Sequence, residues 1–326
     1  LIVAFIDQLR AEGHAVESIL RVLHQQGLGI AARTYRAWKS PTLIAARTVT
    51  DARVQDKIRE LAWTVDEATG RRRMTPEGLY GRRKWVALLR RQDGLAGTSR
   101  GAVDRAMHAL GLEGVVRARK LRTTIPGPDG KRAGDLLNRD FTALAPNRVW
   151  VTDFTYVRTW AGFVYVAFVL DVFAQRIVGW HASSSKKVDL VLTPLRIALW
   201  QREREGHPVS PGHLIHHSDA GSQYTVIRLT EHLALEGISP SIGTVGDAYD
   251  NALMETVNGL FKAKCIRTTV FHAGPYRTLA DVEYATAGWV DWYNNRRIHG
   301  TLEMLTPIEF ETLHYQAPTR EPQPAK

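Results

Sequence analysis

The amino-acid sequence predicts an α/β protein, a mixed five-stranded sheet with flanking helices preceded by an all-helical helix-turn-helix region. Three observations lead there. Of 326 residues 44% are hydrophobic, enough for two or three domains and at least one sizeable core. Up to about residue 122 the apolar residues recur at helical spacing. From residue 149 the chain turns to β-branched and aromatic runs broken by short turns, and then alternates helix with strand.

Residues 1–50 make an N-terminal helical segment. Its apolar opening is broken by Asp7 and Arg10, too short for a membrane span and without a basic leader, so it reads as the first turns of an amphipathic helix. Val16, Ile19, Leu20, Val22 and Leu23 form a second apolar helical face, and Thr34-Tyr35 starts a third helix after the break at Gly27-Leu28-Gly29. Residues 54–122 make a second block, with helices over 54–63, 80–91 and 99–110. Ser99 is the N-cap of the last of these and Gly111 its stop. Helix, short Gly-containing turn and helix between basic flanks is the outline of a helix-turn-helix. Residues 123–147, which include Pro126-Gly127-Pro128-Asp129-Gly130, cannot continue a helix and read as a linker.

Strands are expected over 149–157, 163–170 and 175–181, separated by breaks of hairpin length. A helix over 187–204, a strand over 213–217, a helix over 223–236 and a strand over 238–242 follow. Helices over 251–264 and 279–294 close the region. The resulting division is a core at 148–271, a C-terminal helical extension at 272–315 and a Pro-rich disordered tail at 316–326.

Lys and Arg total 43 against 33 Asp and Glu, a net charge of +10 that favours a polyanionic partner through phosphate neutralisation. Arg82, Arg83 and Lys84 lie in the first helix of the helix-turn-helix, Arg100 and Arg105 in the second, and Arg119 and Lys120 after it. A solvated helix surface would account for such a cluster, but with few acids interspersed it favours contact with double-stranded DNA. Trp289, Trp292 and Tyr293 read as core residues rather than base-stacking platforms. Cys265 is the only cysteine, which excludes an intramolecular disulfide and a cysteine-rich zinc site and suits a reducing cytoplasm.

Three acids stand out. Asp153 interrupts a strand in Trp150-Val151-Thr152-Asp153-Phe154-Thr155-Tyr156, where burial without a partner would be costly. Asp219 follows His216-His217-Ser218, and Glu255 sits on a helix in Asp250-Asn251-Ala252-Leu253-Met254-Glu255. Singly, an ion pair, a turn cap and a solvated helix position explain them. Together, two acids at strand positions and one on a following helix can converge at one edge of a sheet. Their hard oxygens suit Mg²⁺, with Mn²⁺ as a substitute. Two such ions about 3.5–4 Å apart can activate a water or a DNA 3′-hydroxyl for phosphoryl transfer. Strand alternation lets at most one of His216 and His217 point toward Asp219, which favours a supporting role over a metal site with nitrogen ligands; His217 and Ser218 are taken for that role. Glu255, Asn258 and Lys262 fall at i, i+3 and i+7, giving one helix face an acid, an amide and a base. Asp171 reads as a turn residue at the end of the second strand.

The strings Trp-Val-Thr-Asp-Phe-Thr-Tyr, His-Ser-Asp-Ala-Gly-Ser-Gln-Tyr and Asp-Asn-Ala-Leu-Met-Glu-Thr resemble the three signature blocks of the DDE integrase core in OrfB-type transposases of the IS-three family of insertion sequences. The 35 residues between Asp219 and Glu255 match the spacing that gives the family its D-D(35)E label. Lys262 and the block Trp292-Tyr293-Asn294-Asn295-Arg296-Arg297-Ile298-His299, with Thr306-Pro307 beyond it, extend the resemblance over residues 71–310. It implies an RNase H-like core and Mg²⁺-dependent cleavage and joining at terminal inverted repeats, with Asp153, Asp219 and Glu255 as catalytic and metal-binding residues. It further implies that Lys262 lies toward DNA; Asn251, at the start of the same helix, reads as facing the DNA too. Target DNA, a homo-oligomer on DNA and an upstream-frame (OrfA-type) protein or fusion are the implied partners. The chain opens without Met and without heptads, and so looks like the downstream product of such a pair. The alternative is a helix-turn-helix DNA-binding regulator, inactive or domesticated, that carries a relic core.

Overall fold

The computed structural model describes residues 2–40, 45–67, 69–115, 142–187, 189–218, 227–242 and 252–317. The chain divides into two compact units, Leu1–Arg53 and Val54–Lys326. In the first, α1 (Ile2–Ala11), α2 (Val16–Gln25) and α3 (Ala32–Lys39) bury Ile6, Ile19, Leu20 and Tyr35 in a small core of their own. The Tyr35 hydroxyl donates to Asp7, which is also paired with Lys39 at 2.8 Å.

The second unit begins within α4 (Ala46–Ala62), whose Val54, Ile58 and Ala62 are fully buried. A two-stranded antiparallel ribbon of β1 (Trp63–Val65) and β2 (Arg72–Met74) comes next, an element the sequence did not announce. Then come α5 (Arg82–Arg90) and α6 (Arg100–Leu110). Ser99 caps α6 by accepting from Ala102 N, and Gly111 ends it at φ 63°, the left-handed conformation glycine adopts without strain. Both ends are as the sequence predicts.

The sheet consists of β3 (Val149–Thr159), β4 (Gly162–Asp171), β5 (Arg176–Ser183), β6 (Ile215–Ser218) and β7 (Ser239–Ile242), in the order β5-β4-β3-β6-β7. The first three strands are antiparallel, whereas β6 and β7 run parallel to β3, the arrangement of an RNase H-like core. Between β5 and β6 runs α7 (Asp189–Arg204), and between β6 and β7 runs α8 (Ile227–Leu235). After the sheet come α9 (Ala252–Phe261), α10 (Leu279–Asn295) and α11 (Pro307–Gln316).

Period-two alternation divides β3 between two cores. Trp150 joins Val169, Val178, Leu195, Ala198 and Leu233 on the face that α7 covers. Gly179 on β5 permits this approach, because a Cβ there would lie 2.1 Å from the Pro194 carbonyl oxygen of α7. Val149, Val151 and Val157 point the other way, toward α9 and α10. There Phe168, Phe261 and Trp289 pack edge to face with centroids 5.1–5.6 Å apart.

The described part of the helical block shares this second core instead of forming a separate one as its own domain. Tyr80 packs on Trp85 and Trp292, and its hydroxyl donates to Arg296 O and accepts from Ile298 N, both at 3.2 Å. Trp289, Trp292 and Tyr293 are core residues, as their sequence context suggested. Asn294 serves the outer edge of β5, bonding both Ile177 N at 3.0 Å and Ile177 O at 2.8 Å, and so occupies edge groups that would otherwise be open to pairing. Asp171, expected to be a turn residue, is instead wholly buried. It accepts from Asn147 N, Trp150 Nε1 and Phe173 N, and pairs with the equally buried Arg202 at 3.0 Å. A carboxylate can occupy such a position because Arg202 and three N–H donors replace its water. Among the described residues no helix is long and apolar enough to cross a membrane.

Candidate active site

Asp153 points from the middle of β3 to the α9 face, the side of Val149 and Val151, and pairs across the sheet with Phe168. Asp153 Oδ1 accepts from Phe154 N at 2.8 Å, and Oδ2 accepts from Asn258 Nδ2 at 2.9 Å. Phe168, Phe261 and Trp289 lie on that same face, so an apolar floor fixes the helix that carries Asn258. Met254, Val257 and Phe261 are the buried side of α9, whereas Glu255 and Asn258 flank it and are only partly buried. One helical turn separates Glu255 from Asn258, so the two share a face. Asn258, which the sequence presents only as the amide at i+3 from Glu255, is the residue that anchors α9 to Asp153.

At the far end of α9 the backbone widens into a π-type turn over Lys262–Ile266. Lys262 Nζ lies 4.7 Å from the centroid of the Tyr156 ring. Burial, followed by the charge of Arg267, lowers its pKa, and Asp153 pulls the other way. Of the acid, amide and base expected on one helix face, the amide and the base thus meet the strand that carries Asp153.

The two histidines on β6 diverge as alternation requires. His216 is in register with Trp150 on the α7 face, with Nε2 2.8 Å from Thr152 Oγ1, and burial lowers its pKa to about 4. His217 is in register with Val151 on the Asp153 face, and its Nδ1 lies 2.9 Å from Ser241 Oγ. Ser218, expected to support the site with it, is buried in register with Thr152 and so lies on the opposite face. Asp219, Asn251, Arg119 and Lys120 lie outside the described residues. Among the described residues no three His, Cys, Asp or Glu side chains form a metal-binding group.

In the helical block Arg82, Arg83, Arg100 and Arg105 are exposed, and Arg82 ties α5 to α6 through Asp104 at 2.8 Å. Lys84, grouped with them in sequence, corrects that grouping. Its Nζ is buried without a hydrogen-bond partner among the described residues, 5.3 Å from the Tyr80 ring centroid. Burial, then Arg297 and Lys264, lower its pKa to about 6. The helical period explains the difference, since Lys84 is flanked by the buried Trp85 on the inward side of α5.

Two family descriptions of the integrase core domain match the chain, one over residues 143–248 and the other over 236–307. A protein of insertion sequence element IS986/IS6110 from Mycobacterium tuberculosis is 48% identical over 239 residues, 73% of this chain and 83% of that one. The transposase for insertion sequence element IS629 from Shigella sonnei is 48% identical over 238 residues, 73% of this chain and 75% of its own. Among solved structures, the simian T-cell lymphotropic virus intasome in complex with PP2A regulatory subunit B56 gamma aligns at 14% identity with a TM-score of 0.45, over 76% of this chain and 74% of that one.

Proposed function

The chain belongs to the transposases of the IS-three family of bacterial insertion sequences, polynucleotidyl transferases with an integrase core, and we propose that Asp153, Asp219 and Glu255 are its catalytic carboxylates. The observation that carries this reading is the contact between Asp153 and Asn258, which joins the central strand to the helix face of Glu255 and Lys262. Asp219 directly follows Ser218, which is in register with Thr152, the residue before Asp153.

The donors fit a divalent cation. They are hard oxygens, and Asn258 Oδ1 is a buried acceptor with no hydrogen-bond partner among the described residues, beside Asp153. Asp153, Asp219 and Glu255 would hold Mg²⁺, or Mn²⁺ in its place. When bound, the cation supplies Lewis-acid stabilisation of the charge that develops on the attacking and leaving oxygens in phosphoryl transfer. The chain's own residues do the positioning. Asn258 holds the Asp153 carboxylate in one orientation, and the Phe168–Phe261–Trp289 packing fixes the helix that carries Asn258. Lys262, within the field of Asp153, offers a cation to a DNA phosphate at the edge of the site. The exposed Arg82, Arg83, Arg100 and Arg105 equip α5 and α6 to engage duplex DNA as a helix-turn-helix. Asn251, Arg119 and Lys120, an oligomer on DNA and an upstream-frame partner belong to the same proposal.

Purified protein, supplied with the upstream-frame product where one is needed, is expected to nick and join DNA bearing the element ends only when Mg²⁺ or Mn²⁺ is added. Asp153→Asn and Asp219→Asn should each lower both reactions at least about a hundredfold while DNA binding persists. Strand transfer at the wild-type rate by either variant would sink the assignment.

A further inference from the structure

The hairpin of β3 and β4 carries a second surface, on the face opposite Asp153. Phe154 and Tyr165 form one edge-to-face pair, with centroids 6.4 Å apart and planes at 77°. Tyr156 and Phe163 form the next, at 5.5 Å and 89°. Tyr156 is 56% and Phe163 48% exposed, although apolar rings of this size gain most by being covered. A cation stands over each tyrosine, Lys186 at 4.9 Å from the Tyr165 centroid and Lys262 at 4.7 Å from that of Tyr156.

Aromatic rings interleaved with cations are what an unpaired nucleic-acid strand stacks on, with the rings taking base faces and the cations the phosphates. The spacing favours an unpaired strand over a duplex. Successive rungs on one face of a strand lie about 7 Å apart, roughly twice the 3.4 Å per nucleotide of a duplex strand. Bases seated on consecutive rungs must therefore be unstacked from one another. Lys262 links the two faces, because it lies over Tyr156 while sensing the charge of Asp153. Phe154 directly follows Asp153 in β3.

We propose that this aromatic ladder is a binding surface for the unpaired strand that leaves the duplex at a DNA end held in the site. The proposal rests on reading the chain as a DNA strand-transferring enzyme. It identifies the substrate class more closely, as a duplex opened at its end rather than one paired throughout.

The test measures binding of the full chain, without divalent cation, to fluorescein-labelled terminal-repeat duplexes that are either fully paired or carry a short unpaired thymidine tail. The wild type is expected to prefer the tailed duplex at least about tenfold, the scale of one stacked base. Tyr156→Ala with Phe163→Ala should abolish that preference and leave affinity for the paired duplex unchanged; Tyr156→Phe should keep it. Trp200, an exposed aromatic on α7, is the control, and Trp200→Ala should keep the preference too. Tyr156→Ser alone gives the same reading if the double variant does not fold. Equal binding of the two duplexes by the wild type, or an undiminished preference in the double variant, overturns the ladder. Failure to bind either duplex would instead defeat the underlying DNA reading.

Discussion

His216 is fully buried on β6, and its burial has a pH signature of defined sign. Its folded pKa is lowered to about 4, whereas an unfolded histidine titrates near 6.5. As pH falls below 6.5 the unfolded chain takes up a proton that the folded one refuses. This contribution to stability is therefore present above pH 6.5 and lost progressively toward pH 4, with an upper bound of about 3 kcal/mol. Urea unfolding measured across that window should show the decline, and His216→Asn should flatten it; an unchanged slope in the variant would refute the assignment. At this scale the sequence was legible where spacing carried the information. Alternation on β6 separated His216 from His217, and the i, i+3, i+7 face of α9 grouped Glu255 with Asn258 and Lys262. It was not legible for Asp171, because the arginine that permits its burial is 31 positions away on another element.

At the scale of elements, α5 carries basic side chains on both of its sides, and only one of them is outward. Arg82 and Arg83 are exposed, whereas Lys84 is turned toward Tyr80, Arg297 and Lys264. A lysine held below its ordinary pKa destabilises the fold at neutral pH, since the unfolded chain binds the proton that the folded one gives up. Lys84→Met is accordingly expected to raise Tm by a few degrees at pH 7, as read by calorimetry, with DNA affinity unchanged. A loss of DNA affinity would restore Lys84 to the contact surface. The helices of this block were readable from period and caps, down to Ser99 and Gly111. The β1–β2 ribbon was not, because strands of three residues have too few positions to display alternation. A helix over Pro307–Gln316 did leave a signal, the Thr306–Glu309 capping box with Pro307 at its first turn.

Over the whole molecule, a buried ionic network holds the sheet to the helices around it. Arg202 of α7 pairs with Asp171 of β4 and with Glu311 of α11, while Arg176 of β5 pairs with Glu311 at 3.0 Å and with Glu205. Removing one member leaves the others charged and buried, so Arg202→Met should cost about 3–5 kcal/mol in urea unfolding. A loss below about 1 kcal/mol would mean that the network relaxes or hydrates without cost. Domain boundaries were the least legible feature, because sequence period reports which elements exist and not which of them share a core. The Tyr80 contacts with Trp292, Arg296 and Ile298 span more than 200 positions of the chain. On the ribosome, chains emerge from the N-terminus onward. The arginine-bearing helices α5 and α6 are thus made before α10, and their core closes only once α10 and the residues just after it have been translated. Synthesis order itself delays competence: a nascent or truncated chain has the arginines of α5 and α6 but lacks the aromatic lock that holds those helices in place.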